Sequence, residues 1–191
     1  GPLLIANHNI ELNEIPNLKI ALPGVHTTAH FLFKFAFPSA KKLHHVVFSE
    51  IESLVLNHQV DAGVIIHENR FTYESKGLFK LLDLGTHWVE QNQLPIPLGL
   101  IAIKRSLNPE LKLQIKAIIQ ASITFSNDHY PKIYPFIAQH AQELSDEVIK
   151  KHIDLYVNEH SYSFNSASIA AIHKLFTLSH PTLDTSTLNF I

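Results

Sequence analysis

The residues best able to do chemistry stand at the end of one apolar run. Val60-Asp61-Ala62-Gly63-Val64-Ile65-Ile66 leads directly into His67-Glu68-Asn69-Arg70-Phe71-Thr72-Tyr73. An imidazole ordinarily titrates near ~6.5, so a histidine here could take up a proton at neutral pH. A histidine that closes a strand can also be purely structural, and the segment alone leaves both readings open. Arg70 carries a fork that can clamp a carboxylate through two parallel hydrogen bonds, or it is simply a surface arginine. Glu68 adjoins His67, but neighbours along a strand point to opposite faces, so Glu68 is not expected to orient it.

A second candidate lies upstream, at Pro23-Gly24-Val25-His26-Thr27-Thr28. Thr27 or Thr28 begins an apolar helix. A helix start presents free N–H groups and the positive end of a dipole, which suits a carboxylate or phosphate. A threonine in that position can equally do no more than cap the helix. His26 and His30 are spaced as metal ligands on a helix would be, but His26 falls before the helix and no H-E-x-x-H pattern is present. No metal is expected. There is no G-x-S-x-G elbow, P-loop or G-x-G-x-x-G, so serine hydrolases, P-loop nucleotide hydrolases and dinucleotide enzymes lack support.

These residues must be positioned by the elements around them. Val64-Ile65-Ile66 is short, β-branched and preceded by glycine, which predicts a buried strand. A strand apolar on both faces suits a parallel sheet covered by helices, where ligands bind outside the carboxyl ends of the strands. Leu3–Ala6, Leu18–Leu22 and His45–Phe48 are further strands. Helices are expected after Thr27 and after Ser49, the latter opened by a capping box between Ser49 and Glu52. Together these make two βαβ units. His67 and the Thr27-Thr28 helix start then face one rim, an anion anchor beside a base. Asp61 is expected to hold a loop. Phe79–Gly85 reads as a strand and turn, and Thr86–Gln93 as a short helix. Leu94-Pro95-Ile96-Pro97-Leu98-Gly99 cannot be regular, because two prolines remove backbone donors. A strand is expected over Leu100–Arg105. Beyond it the pattern is helical: 108–125, 131–144, 145–157, and from Ser166 or Ser168 to about Leu178.

The totals bound the class. The chain has 191 residues, 46% hydrophobic and 17% charged, which fits a globular fold with a sizeable core. A net charge of −2 with no basic block gives no case for nucleic acid or an anionic membrane as partner. No uncharged apolar run is long enough to span a bilayer, and no signal-peptide pattern is seen. Cysteine is absent, which excludes disulfides and a thiolate nucleophile and fits a reducing compartment, so a cytoplasmic location is expected. Methionine is absent too, and the first residue is Gly1.

Read together, four segments resemble the 1,4-dihydroxy-6-naphthoate synthases, lyases of the futalosine route to menaquinone. They are Pro23-Gly24-x-x-Thr27-Thr28-Ala29, Phe48-Ser49-Glu50-Ile51, the Val60–Tyr73 stretch, and Leu94–Gly99. His140-Ala141-Gln142-Glu143 and His152–Asn158 extend the resemblance into the helices. It implies a two-lobed α/β fold of the type II periplasmic-binding-protein kind, with the ligand between lobes. Residues 17–97 would be a βαβαβ lobe; 1–16 and 98–191, mostly helical after 106, would belong to an incomplete second lobe. It implies action on cyclic dehypoxanthine futalosine, a small-molecule substrate, with no metal or organic cofactor. It implies His67 as catalytic base or nucleophile and Thr28 as a substrate contact, with Thr27 and Arg70 beside them. Nothing here matches the family's opening βα unit with its S-P-C-P-N-D-T-F-like segment, so a fragment lacking roughly 80 residues is expected from family length. A solute-binding protein for a small carboxylate, or a chorismate dehydratase of the same pathway, are the alternatives. Oligomeric state is not legible.

Overall fold

A computed structural model of the chain describes residues 1–141 and 145–191, with the side chain of Glu68 left aside. It divides into two compact units, Gly1–Leu98 and Gly99–Ile191.

The first unit is built on a five-stranded mixed sheet. Its strands are β1 (Leu3–Ala6), β2 (Ile20–Leu22), β3 (Leu43–His45), β4 (Ala62–Ile65) and β5 (Phe79–Asp83), in the order β3-β2-β4-β1-β5. Helix α1 (Thr28–Ala36) joins β2 to β3, and α2 (Ile51–Leu56) joins β3 to β4. The three strands of these βαβ units are parallel, with Ile20 opposite Leu43 on one side and Ala62 on the other. Strand β1 runs antiparallel between β4 and β5, with Leu3 opposite both Ile65 and Asp83. All four of its residues are buried.

The opening strand therefore belongs to the first unit's sheet, not to a second lobe with 98–191. Its local pattern could not reveal this, because both of its partners lie some sixty or more residues away in sequence.

Helix α2 lies close over β4, and Gly63 is what allows it. A Cβ on Gly63 would stand 2.5 Å from Ile51 Cγ2 and 3.1 Å from Val55 Cγ2. Ile51 and Val55 are fully buried there with Leu3, Ile5, Ala21 and Ile65. On α1, Ala29, Leu32 and Phe33 face inward at helical spacing. Its partly buried Phe31 and Phe35 place their rings 5.8 and 5.3 Å from the buried Trp88 of α3 (Leu84–Asn92). Trp88 Nε1 donates to the Pro95 carbonyl at 3.1 Å, which fixes the irregular proline segment. Asp61 ties the entry to β4, its carboxylate accepting from the Lys19 N–H at 2.7 Å.

Three local expectations are corrected. Strand β3 ends at His45, because Val47 turns the chain into a 3-10 turn over Phe48–Glu50. No capping box forms at Ser49. The N-cap of α2 is Glu50, without a side-chain cap, and the Glu52 carboxylate turns elsewhere. No strand forms over 100–105, where Ile101 is 75% exposed. That stretch has β-branched character but, among the described residues of its unit, no strand to pair with.

The second unit is helical: α4 (Pro109–Asp128), α5 (Tyr130–His140), α6 (Asp146–Tyr156), α7 (Glu159–Tyr162) and α8 (Ser166–Ser179). Asn108 caps α4, with Pro109 next inside it, Ser145 caps α6 and Asn165 caps α8. The expected end of the α5 segment near Leu144, and Gln142 and Glu143, lie outside the described residues.

Candidate active site

Strand β2 ends at Leu22 and gives way to Pro23 and Gly24. The Thr27 N–H donates to the Gly24 carbonyl at 3.1 Å, closing a turn that aims the chain into α1. Thr27 is the N-cap; its hydroxyl accepts from the His30 N–H at 3.2 Å. Thr28 is the first helical residue, and its side chain is half-buried. The first turn of α1 holds no acidic side chain. Its positive dipole end is thus not neutralised by a residue of its own helix.

Strand β4 delivers His67. Ile66 is still extended, but His67 adopts φ +57°, in the left-handed region. That conformation costs a non-glycine residue on the order of 1–2 kcal/mol. Such strain persists where the surroundings hold it, and it gathers at sites of function. The chain then coils as a 3-10 turn over His67–Phe71. The imidazole is exposed, and the Phe48 ring meets it edge-on at 5.3 Å between centroids. Phe48 follows β3, so residues trailing β3 and β4 meet at this point. Because β2, β3 and β4 are parallel and in register, their carboxyl ends lie along one edge of the sheet. Thr27, Thr28, Phe48 and His67 all follow on from that edge.

Arg70 sits differently from a free clamp. Its guanidinium donates to the Gly1 carbonyl at 2.5 Å and pairs with the Asp83 carboxylate at 3.4 Å, with 18% of the side chain exposed. Asp83 in turn caps α3, accepting from the Gly85 and Thr86 N–H groups. Arg70 thus joins the His67 turn to the end of β5, and two of its donors point inward.

Two pairings escaped sequence reasoning. His30 on α1 meets His45 of β3, with Nδ1 and Nε2 3.0 Å apart, rather than pairing with His26. Burial, the neighbouring His45, then Lys34 and His26, hold the His30 pKa below the ordinary histidine value. Among the described residues no group of three or more His, Cys, Asp or Glu could hold a metal ion. The second pairing is Glu52 with Asn69 and Lys76. The only local signal was Asn69's place in the polar cluster after β4. The Glu68 side chain lies outside the described residues. Two shallow surface hollows, one along α4 and one beside Tyr73–Lys80, involve none of His67, Thr27, Thr28 and Arg70.

Comparison with known proteins puts this arrangement in context. Among solved structures, a protein from Archaeoglobus fulgidus superposes with a TM-score of 0.87 at 33% identity, over 95% of this chain and 67% of its own. A periplasmic sulfonate-binding protein from Methylobacillus flagellatus matches at TM-score 0.58 and 13% identity, over 98% of this chain and 59% of its own. The ligand-binding component of an ABC-type import system from Staphylococcus aureus matches at TM-score 0.56 and 16% identity, over 95% and 64%. These last two show the fold alone: an α/β fold of the periplasmic-binding-protein kind. Among curated proteins, the 1,4-dihydroxy-6-naphtoate synthase of Thermus thermophilus is 37% identical over 176 residues, 92% of this chain. That of Streptomyces coelicolor is 37% identical over 182 residues, 93% of this chain. The chain spans 64% of the length of each of these two relatives. A match to the family described as menaquinone biosynthesis runs over residues 1–181, so nearly every element described above falls within it. The chain belongs to the menaquinone biosynthesis family.

Proposed function

We propose that the full-length protein is a carbon–carbon lyase that converts cyclic dehypoxanthine futalosine to 1,4-dihydroxy-6-naphthoate. The observation that carries this reading is the match to curated synthases over nine-tenths of the chain, including the segment bearing His67. The geometry supports it: an exposed imidazole on a strained turn, on the same sheet edge as a helix start with two hydroxyls. In this reading His67 is the base or nucleophile that attacks, or takes a proton from, the ribose-derived part of the substrate. Thr28 and the first N–H groups of α1 hold a polar or anionic substrate group. Thr27 fixes that helix start through its cap. Arg70 steadies the His67 turn through Asp83 and offers its remaining donors to the substrate. Similarity to the solute-binding proteins is one of fold, and does not favour binding without chemistry.

The test is incubation of the full-length protein with cyclic dehypoxanthine futalosine and, separately, with chorismate, followed by mass spectrometry. Release of the dihydroxynaphthoate from the first substrate alone is expected. Dehydration of chorismate, or retention of ligand without turnover, would overturn the assignment.

A further inference from the structure

Among the described residues, Glu52 is the one buried acid of the first unit, 6% exposed within α2. Its Oε2 accepts from Asn69 Nδ2 at 2.6 Å and from Lys76 Nζ at 2.5 Å. Its Oε1 is buried and, among the described residues, has no hydrogen-bond partner. A buried carboxylate with one oxygen unsatisfied is costly. Ile51 and Val55 already fill the space over Gly63. Both donors to Glu52, however, come from the chain that follows His67.

Asn69 lies two residues beyond His67 in the same 3-10 turn. Besides reaching Glu52, its carbonyl accepts from the N–H groups of Thr72 and Tyr73, each at 3.1 Å. It is the hub of the turn. Lys76 closes the next 3-10 turn, Glu74–Lys76, and brings that turn to the same carboxylate oxygen. Two successive turns are thus tied to one atom of α2, whose own position is set by the close approach over Gly63. The left-handed backbone at His67 is a conformation the residue does not choose by itself. It needs an outside tie, and this clasp supplies one.

We propose that Glu52 and Asn69 are positioning residues: they hold the His67 turn in the geometry its chemistry needs, acting through the turn without touching substrate. This rests on the reading of His67 as the reacting group. Misplacement of a reacting group by about 1 Å can cost on the order of 100-fold in rate.

The experiment uses the full-length protein and cyclic dehypoxanthine futalosine, with Asn69→Ala and Glu52→Gln compared with wild type. Asn69→Ala is expected to lower kcat about 10- to 100-fold while KM stays within about threefold, because binding is left in place. Glu52→Gln, whose amide oxygen can still accept from Asn69, is expected to recover most of that loss. A thermal melt of each variant separates misfolding from misplacement. A second readout needs no turnover: the His67 imidazole signal in 15N-histidine-labelled protein. One sharp signal in wild type that broadens or splits in Asn69→Ala while the fold is retained supports the clasp. Unchanged kcat and an unchanged His67 signal in folded Asn69→Ala overturns it. Equal loss in Glu52→Gln and Asn69→Ala, tracking lost stability, also overturns it. Should wild type show no turnover, the proposed reaction falls, and the histidine signal still decides the clasp.

Discussion

At the scale of single residues, the two threonines show how one dipeptide divides its labour. Thr27 spends its acceptor on the His30 N–H and so starts α1. Thr28, one residue on, has its hydroxyl at the mouth of a helix whose first turn holds no acid. If Thr28 holds an anionic or polar substrate group, Thr28→Val removes one hydrogen bond and little volume. Loss of a hydrogen bond to a charged group is worth about 1.5–3 kcal/mol, so KM should rise about 10-fold or more with the melting temperature nearly unchanged. Steady-state kinetics on the full-length variant checks this, and an unchanged KM would remove Thr28 from the site. The residue types here were legible in sequence: a hydrophobic run ending in His67, and hydroxyls at a helix start. What was hidden was conformation and partnership. Nothing local announces φ +57° at His67, or that Glu52 reaches Asn69 seventeen positions away instead of capping its own helix.

At the scale of elements, α1 and β3 meet through the His30–His45 pair. Burial first, then His45, Lys34 and His26, lower the His30 pKa in the folded protein. The unfolded chain therefore binds a proton more readily at this position. The contact is fully stabilising above the ordinary histidine pKa of ~6.5, and stability is lost as pH falls through that value toward the folded-state pKa. Melting temperature should drop between pH 7 and pH 5, and His30→Gln should flatten that drop. Equal acid sensitivity in the variant would mean that other groups govern it. The βαβ elements were readable because short apolar runs alternate with helical apolar spacing, although the cap signal at Ser49 and the end of β3 misled. The position of β1 was not, since an antiparallel strand inserted between β4 and β5 depends on pairings far along the chain. The expected strand after Gly99 failed for the complementary reason: it has strand-like residues but, among the described residues of its own unit, no strand to receive it.

At the scale of the whole molecule, burial is uneven. Among the described residues, the buried hydrophobic side chains lie in 1–98, apart from Ile149, Ala171 and Ile172. Helix α4 buries none of its residues, and Leu111, Leu113, Ile118 and Phe125 along it are exposed. Local opening follows such differences. In the 191-residue chain, amide exchange followed by mass spectrometry should be slow in β1, β2 and β4 and markedly faster along α4. Equal protection of α4 and β4 would contradict this account of where the core sits. Turnover is likewise proposed for the full-length protein, and the claim beneath all others is that its chemistry passes through the imidazole of His67. The direct measurement is single-turnover conversion of cyclic dehypoxanthine futalosine by the His67→Ala variant, with folding verified by its melt. A general acid–base or nucleophilic role calls for a rate loss of about 10²–10⁴-fold with substrate still bound. Conversion at the wild-type rate would contradict it.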